Sequence, residues 1–290
     1  MDVSEVFLSC VDEWAKDGLD SRLENAIEMF EEWVEDFEPS EQELLAKLMD
    51  KYSYYSQNSV TNIIKKLSQD AVEDFGVSNE DSVISVVRKA NGKFNSSYEY
   101  WLLHRMLSGL SKEIYFDSVN DIDEDEWKNV KKVVYVDDCS GTGRQFVKFM
   151  KRQKKSFLNK EVILIVIEAV EDAQMYIKNE LKKQGISVEI LSYTDKEKAL
   201  KSMLENEKYT FQQMSQKHQI PECFVLGFEE AEALMSFYNN TPNDTLGLFW
   251  FISEKNEPIF PRDLEEKPGW KLSKDEKSKR RREQYEAKCI

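Results

Sequence analysis

The sequence predicts an α/β fold with a parallel sheet, preceded by acidic helices. Short runs of β-branched and other apolar residues recur after residue 76, and the strongest of them is Val162–Ile167. Helical patterns separate these runs, and strands that are apolar on both faces are typical of parallel sheets covered by helices. We therefore predict an acidic helical N-terminal extension over residues 1–76, an α/β domain over 77–262 and a charged C-terminal tail over 263–290.

Residues 1–76 show the spacing of amphipathic helices. The apolar positions of the first two predicted helices are Val3, Phe7, Cys10 and Trp14, then Leu23, Ala26, Phe30, Trp33 and Phe37. Pro39 is expected to end the second helix, and Ser40 with Glu43 forms a capping-box pattern for a third. A fourth helix is predicted from Val60 to Phe75. A partner surface and internal packing both fit these apolar faces, and internal packing is favoured.

The predicted sheet takes its strands from the apolar runs in chain order. These runs are Val83–Val87, Val133–Val136, Val162–Ile167 and Val188–Leu191, with Ala231–Tyr238 and Leu246–Ile252 as further candidates. The helical patterns between them cover Tyr98–Leu110, Gly143–Lys155 and Asp172–Gln184. A parallel sheet collects the carboxyl ends of its strands at one edge, where ligands bind.

Charge is distributed unevenly along this chain, whose formal net charge is −15. Residues 1–50 contain 16 Asp or Glu and 3 Lys or Arg, a net charge of −13. Such an acidic segment does not favour general binding to nucleic acid backbones. The sequence has no apolar run approaching the ~18 residues of a membrane span and no signal-like N-terminus. We therefore expect a cytoplasmic protein that does not interact with membranes.

The segment 133–149, VVYVDDCSGTGRQFVKF, has the composition of a ligand-binding loop. An apolar run ends in Asp137 and Asp138, and a small, glycine-containing loop leads into a helical pattern. Glycines allow positive φ and close approach of the backbone to a ligand, and successive N–H groups then form an anion site. The residues that would bind a phosphate in this way are Ser140, Gly141, Thr142 and Gly143.

Two acids directly before a phosphate loop need another ligand group, because carboxylates repel phosphate. The vicinal hydroxyls of a ribose or a divalent cation would fit Asp137 and Asp138, and a ribose 5-phosphate would satisfy the acids and the loop together. A tight strand-to-helix turn with capping acids is the structural alternative. The segment has neither the ending of a Walker A loop nor the three spaced glycines of a dinucleotide-binding loop.

This segment resembles the phosphoribosyl-diphosphate motif of the type I phosphoribosyltransferases. The resemblance implies a phosphoribosyltransferase-like core in which Asp137 and Asp138 are the catalytic acids, hold the ribose and contact a metal ion indirectly. The residues that it assigns to phosphoribosyl binding are Ser140, Gly141, Thr142, Gly143, Arg144 and Gln145. The match breaks at Arg144 and Gln145, where the family usually has small residues. Arg144 would either add a phosphate contact or crowd the pocket.

A second segment, NNTPNDTLGLFW at residues 239–250, resembles a signature of the phosphoribosyltransferase-like proteins of bacterial conflict systems. Those proteins accompany anti-phage systems, including some retrons. The residues that would recognise a base, a pyrophosphate or a macromolecule are Asn240, Thr241 and Asn243, although a purely structural loop fits equally well. Because parallel strands deliver their loops to one edge, this loop is expected beside Asp137 and Asp138.

A third loop follows the run Val83–Val87 and precedes a predicted helix. Phosphoribosyltransferases bind pyrophosphate at a loop after an early strand, so the resemblance implies the same role here. The residues concerned are Lys93, Asn95, Ser96 and Ser97. A helix start capped by serine is the simpler interpretation of this segment.

The function expected from these resemblances is that of an anti-phage defence effector or regulator that binds phosphoribosyl diphosphate or a nucleotide. If the chain is an enzyme, the reaction is transfer or hydrolysis at ribose C1. Mg²⁺ is expected from the resemblance, as an oxygen-ligated ion bridging phosphates. The alternative is a non-catalytic subunit of a defence complex that senses a nucleotide or binds a partner. A protein or ribonucleoprotein partner and a homo-oligomer are both left open.

Overall fold

The computed structural model describes residues 2–88 and 96–262. Their contacts divide the chain into two compact units. Unit 1 combines residues 2–59 with 198–262, and unit 2 comprises 60–88 and 96–197. Over the residues described, every helix is too short or too polar to cross a membrane.

The helices and strands of the described residues are numbered in chain order. The helices are α1 Val3–Trp14, α2 Ser21–Glu35, α3 Pro39–Met49, α4 Gln57–Glu73, α5 Ser96–Leu107, α6 Glu124–Asn129, α7 Arg144–Met150, α8 Glu171–Lys182, α9 Glu205–Lys217 and α10 Glu222–Val225. The strands are β1 Ser53–Tyr55, β2 Ser82–Val86, β3 Tyr115–Phe116, β4 Lys132–Val136, β5 Cys139–Ser140, β6 Glu161–Val170, β7 Ser187–Lys196 and β8 Met235–Phe237. Helix α4 begins in the last residues of unit 1 and otherwise belongs to unit 2.

Unit 1 is built around one apolar core to which two distant segments of the chain contribute. Residues between 3 and 54 bury their apolar side chains in the same cluster as residues between 199 and 260. The Phe7 ring of α1 stacks on Phe30 of α2 with 3.8 Å between the ring centroids. Trp33 of α2 approaches Phe249 at 5.7 Å between centroids. Strand β1 also pairs in parallel with β8, so the two segments form a single structural unit.

The start of α3 differs from the expected one. Pro39 lies in the first turn of α3, where the missing N–H of a proline would have no helical partner in any case. The helix therefore begins two residues earlier than the capping box at Ser40 and Glu43 predicts. Its capping box uses Glu38 and Glu41 instead of Ser40 and Glu43.

The candidate strand Leu246–Ile252 is wrong. This segment is completely buried but contains a 3₁₀ turn, Gly247–Phe249. A short apolar run cannot by itself distinguish a strand from another buried segment. The chain is also tightly packed here, because a Cβ on Gly247 would lie 2.5 Å from the Phe224 carbonyl oxygen. The other candidate strand, Ala231–Tyr238, contains the three-residue strand β8.

Unit 2 contains a parallel sheet with the strand order β3, β2, β4, β6, β7 among its described residues. The short strand β5 pairs with the second half of β6. Val83, Tyr135 and Leu164, which lie on three adjacent strands, share one core with Phe146 of α7 and Ile177 of α8. The predicted parallel α/β core is therefore confirmed, and β2, β4, β6 and β7 correspond to the four principal apolar runs.

The two units do not coincide with the segments proposed from the sequence. The N-terminal helices share their core with residues 199–260, so in this structure they are part of unit 1. The domain limits at residues 76 and 262 stay a prediction. The tail over 263–290 lies outside the described residues.

Candidate functional site

Asp137 and Asp138 lie in unit 2 between strands β4 and β5. Lys132 of β4 is in register with Glu161 of β6, and Cys139 of β5 is in the same register with Glu168. Because the register is the same on both sides of the acids, the chain runs alongside β6 without a bulge from β4 through Asp137 and Asp138 to β5. The backbone bonds agree with this course, since Asp137 N–H donates to the Ile165 carbonyl at 2.9 Å. The two acids therefore lie between β4 and β5, which pair with β6 in the same register, and not beyond the edge of the sheet.

One oxygen of each acid holds the local backbone. Asp137 Oδ1 accepts a hydrogen bond from the Asp138 N–H at 3.0 Å, and Asp138 Oδ1 accepts one from the Cys139 N–H at 2.8 Å. The Asp137 side chain is buried, with 7% of its surface exposed, and Asp138 is half-buried. The bonds fix both carboxylates just before the loop.

Glu168 is a buried acid that the sequence analysis missed. It lies on β6 in register with Cys139, and only 1% of its surface is exposed. The sequence signal is a single acid inside the apolar run 162–170. Glutamate is seldom fully buried in proteins, so an acid in register with the residue that follows Asp138 is a functional candidate.

The loop after β5 enters α7 through Gly143. This residue has a φ of +70°, and a Cβ on it would lie 2.6 Å from Ile177 Cγ1 and 2.8 Å from the Ala173 carbonyl oxygen. Gly143 therefore lets α8 pack directly against the loop. Thr142 Oγ1 accepts a hydrogen bond from the Arg144 N–H at 3.4 Å, so this hydroxyl helps to cap α7. The phosphate-binding role of these residues stays a prediction.

The burial of the loop changes along its length. Ser140 and Gly141 are buried, Thr142 is half-buried, and Arg144 with Gln145 is exposed. The exposed pair lies in the first turn of α7. These are the same two positions at which the sequence departs from the phosphoribosyltransferase motif.

Ser97 connects the first turn of α5 to this region. Its fully buried hydroxyl donates a hydrogen bond to the Val136 carbonyl at 2.7 Å and accepts one from the Val87 N–H at 3.1 Å. The residue thereby joins the carboxyl ends of β2 and β4. Ser96, which is exposed, precedes it in α5. Lys93 and Asn95, predicted for the same loop, lie outside the described residues.

The Asn-rich loop belongs to unit 1. It follows β8, which pairs with β1 in a two-stranded sheet. The expectation that this loop follows a strand of the same sheet as β4 is therefore wrong. Strand β1 has only three residues and no apolar run, so the sequence did not reveal the pairing partner of β8.

The hydroxyl of Thr241 lies in a buried hydrogen-bond network of unit 1. Thr241 Oγ1 donates to the Phe260 carbonyl at 2.8 Å and accepts from Arg22 Nη2 and Ser236 Oγ, each at 2.7 Å. These three contacts use the full capacity of a hydroxyl group. The Tyr52 hydroxyl extends the network to Ser236 at 2.7 Å. In this structure Thr241 joins α2, β8 and the last described segment, and its ligand role stays a prediction.

Asn240 and Asn243 are half-buried, and the backbone around them is closely held. Asn240 Oδ1 accepts a hydrogen bond from the Thr241 N–H at 2.9 Å. The Asn243 carbonyl accepts one from the Phe228 N–H at 2.7 Å. A Cβ on Gly227 would lie 2.1 Å from the Asp244 carbonyl oxygen, so the loop and the turn at Gly227 pack in direct contact.

Comparison with known families identifies the chain. The sequence profile of the family described as PRTase-CE matches residues 30–262. The chain belongs to the PRTase-CE family. Its members are phosphoribosyltransferase-like proteins of conflict systems. The matched residues of this PRTase-CE protein include both the Asp137–Gln145 loop and the Asn-rich loop.

Other comparisons add little to the family assignment of the PRTase-CE protein. No curated protein matches the chain. Among solved structures, it is similar to a hypothetical protein from Neisseria gonorrhoeae with bound ppGpp. The identity is 12%, the alignment covers 55% of this chain and 96% of that chain, and the TM-score is 0.31. A likeness of this size supports no functional argument.

Proposed function

We propose that this PRTase-CE protein binds phosphoribosyl diphosphate or a nucleotide and acts as an effector or regulator of anti-phage defence. The observation that carries the proposal is the order of elements in unit 2. Strand β4, the two acids and the short strand β5 run along β6, and a glycine-containing loop and helix α7 follow in the chain. Family membership supports the setting in a conflict system.

The acids suit the ribose part of such a ligand. Ionised carboxylates only accept hydrogen bonds, and a ribose presents two adjacent hydroxyl donors. Asp137 and Asp138 are held by the backbone before the ligand arrives, which reduces the entropy lost on binding. Each charge-assisted bond of this kind contributes about 1.5–3 kcal/mol.

The loop suits the 5-phosphate. Ser140 and Thr142 provide hydroxyl groups, and the backbone N–H groups of residues 141–145 belong to the loop before α7 and to its first turn. Arg144 adds a guanidinium at the exposed edge of the loop. A dianionic phosphate at this place would be separated by the sugar from the two acids.

Magnesium fits this arrangement as an ion that is delivered with the diphosphate. Residues 2–88 and 96–262 contain no group of three or more His, Cys, Asp or Glu side chains arranged to hold a metal ion. Mg²⁺ commonly keeps several waters and is bound by one or two carboxylates together with substrate phosphates. Asp137 and Asp138 would then hold it indirectly, and the ion would neutralise the charge of the phosphates.

As an enzyme, the chain would break the bond between ribose C1 and the pyrophosphate oxygen. The electron pair leaves with pyrophosphate, and a base or a water molecule forms the new bond at C1. Asp137 and Asp138 would orient the sugar by its hydroxyls and stabilise positive charge developing on the ring. Ser140 and Thr142 would hold the other end of the ribose through its phosphate.

The second candidate is a non-catalytic nucleotide sensor. The observation that favours it is the pair Arg144 and Gln145 in the first turn of α7, where the related motif usually has small residues. Large side chains at the edge of the phosphate loop favour retention of a bound nucleotide over passage of substrates and products.

Calorimetry on the full chain tests the proposal. Phosphoribosyl diphosphate with Mg²⁺, and a nucleoside 5-monophosphate, are titrated into the wild type, Asp137→Asn, Asp138→Asn and the control Asp125→Asn. Asp125 is an exposed acid of α6 whose carboxylate pairs with Lys128. We expect the two site variants to bind about 10- to 100-fold more weakly and the control to bind as the wild type does.

Absence of binding of either ligand to the wild type would refute the proposal. Pyrophosphate release then separates the two candidates. Release by the wild type, lost in Asp137→Asn, supports an enzyme. Binding without release supports the sensor.

A further inference from the structure

The sheet of unit 2 has two edge strands of very different length. Within the described residues, β3 lies at one edge of the sheet and β7 at the other, where it pairs with β6 alone. Strand β3 has two residues, whereas β7 has ten, Ser187–Lys196. A short edge offers little backbone to another strand, but a long edge presents a row of N–H and C=O groups that natural proteins usually protect. The edge at β7 is therefore a candidate for strand pairing.

The hydrogen bonds of β6 show which backbone groups of β7 point outward. The Ile165 carbonyl accepts from the Asp137 N–H at 2.9 Å, so Ile165 directs its backbone groups towards the β4 side. The next residue along a strand directs its groups to the opposite side, so Leu164 bonds to β7. Leu164 is in register with Ile190, and in a parallel pair it bonds to the two residues that flank Ile190. The even-numbered residues of β7 therefore direct their N–H and C=O groups away from β6; these include Ile190, Ser192 and Thr194.

The middle of β7 lacks the residues that usually prevent edge strands from pairing. Natural edges carry proline or charged side chains, lysine above all. Residues 190–194, with the sequence ILSYT, contain neither a proline nor a charged residue. Four of them are half-buried, and Tyr193 is 49% exposed. Charged residues occur only to either side of this segment, so its centre is open to another strand.

We propose that β7 pairs in antiparallel orientation with β7 of a second copy of this chain, so that the two sheets become one. Closed two-fold symmetry is the commonest arrangement of homo-oligomers. A two-fold axis between two edge strands stands perpendicular to the sheet and keeps each face of one sheet continuous with the same face of the other. Opposed side chains lie on one face, so the axis passes beside a single residue of β7, which opposes its own copy.

Charge selects the residue at the axis. The two registers that use most of the strand place either Leu191 or Ser192 there. With Ser192 at the axis, Glu189 would directly oppose Asp195 of the second copy, and the symmetry would repeat this contact between like charges, which is destabilising. With Leu191 at the axis, Glu189 opposes Tyr193 instead, and no like charges are directly opposed along the paired length. The strand is thus complementary to its own copy in one register.

The same register satisfies the outward backbone groups. Ile190 opposes Ser192 of the second copy, and the two residues would exchange a pair of hydrogen bonds because both direct their N–H and C=O groups outward. Leu191 would form a non-hydrogen-bonded pair with its own copy, with the two Cα atoms about 4.5 Å apart. The half-buried Leu191 side chains would then contact each other across the axis.

Light scattering on the full chain tests this interface. The wild type is expected to show twice the 34.1 kDa mass of one chain. Leu191→Lys and Leu191→Glu each place like charges against each other at the axis, so each variant alone should show the mass of one chain. An equimolar mixture of the two variants should recover the doubled mass, because opposite charges then meet. Met106→Lys is the control; Met106 is 71% exposed on α5, and this variant should remain a dimer.

A pair of cysteine variants tests the register and decides the matter if a charge variant fails to fold. Leu191→Cys should form a covalent dimer under mild oxidation, because Cα atoms about 4.5 Å apart lie within the range of disulfides. Tyr193→Cys should not, since residue 193 opposes Glu189 and not its own copy. The wild type controls for its four native cysteines.

The outcomes separate this pairing from other occupants of the edge. A wild type that keeps the mass of one chain up to about 100 μM overturns the proposal and leaves the edge to a strand of another protein. A dimer that neither charge variant disrupts, or one in which Leu191→Cys forms no more covalent dimer than Tyr193→Cys, places the contact elsewhere and also overturns it.

Discussion

The Ser97 hydroxyl donates a hydrogen bond to the carbonyl oxygen of Val136 at 2.7 Å, directly before Asp137 in the chain. The same hydroxyl accepts from the Val87 N–H at 3.1 Å. One buried side chain therefore joins the ends of two parallel strands to the first turn of α5. The position of the acids depends on this residue as well as on their own strand.

Replacing Ser97 by Ala is expected to destabilise the protein by about 1–3 kcal/mol, because it leaves a buried N–H and a buried carbonyl without their common partner. Urea unfolding measures the loss. Ser97→Thr keeps the hydroxyl and should recover part of it. Ser96→Ala, at the exposed neighbour, is the control and should change stability little. Equal losses in Ser96→Ala and Ser97→Ala would contradict the role of the two hydrogen bonds.

Gly143 and Gly185 provide a matched pair of glycines. Their φ angles are +70° and +73°, but only Gly143 has neighbours that a Cβ would strike. Gly185→Ala should cost about 1–2 kcal/mol, the price of a left-handed alanine. Gly143→Ala should cost about 2 kcal/mol more, because Ile177 and α8 must move. Thermal or urea unfolding of both variants gives the comparison, and equal losses would show that α8 adjusts freely.

Thr241 is expected to stabilise unit 1 whatever its ligand role. Thr241→Val keeps the shape but removes the donor to the Phe260 carbonyl and the acceptor for Arg22, so we expect a loss of about 2–3 kcal/mol. Thr241→Ser retains the hydroxyl and should lose much less. Both are measured by urea unfolding. A fully stable Thr241→Val protein that has lost its function would instead indicate direct ligand contact.

His104 is predicted to make stability depend on pH. The residue is 1% exposed, and burial lowers its pKa from 6.5 to about 4. Below pH 6.5 the unfolded chain binds a proton that the folded chain does not bind until about pH 4, so stability falls as pH drops through this window.

The expected contribution of His104 is about 2 kcal/mol between pH 8 and pH 5. Urea unfolding of the wild type and of His104→Asn at pH 8 and pH 5 isolates the contribution of His104 to the free energy of unfolding, because the other titrating groups are common to both proteins. The variant should lose less stability on acidification. The same pH dependence in both proteins would show that His104 does not control it.

The sequence predicted the parts of the fold that depend on local pattern. The runs at Val133–Val136 and Val162–Ile167 are apolar on both faces and became adjacent parallel strands, β4 and β6. The glycines and the helical pattern also predicted a loop that leads into a helix, and Gly141–Gly143 precede α7 in the structure. Such features are encoded within a few consecutive residues.

Pairings between distant residues were not predictable from local pattern. Nothing in Ser53–Tyr55 marks it as the partner of β8. The Ser97 hydroxyl can bond to the Val136 carbonyl and the Val87 N–H only where β2 and β4 are paired. Glu168 was overlooked because one acid does not alter the periodicity of a long apolar run. The buried contact of Arg22 with Thr241 likewise joins residues that the chain brings together only on folding.

The core shared by residues 3–54 and 199–260 has a consequence for synthesis on the ribosome. The first three helices emerge early, but their apolar partners near Phe249 and Phe260 are among the last described residues to be translated. Unit 2 is continuous in sequence and can complete its core while those helices still lack theirs. Phe7 and Phe30 can already stack on each other, but Trp33 stays without its partner Phe249 until that residue has been made, so a chaperone that binds apolar segments would meet this protein at its N-terminal helices.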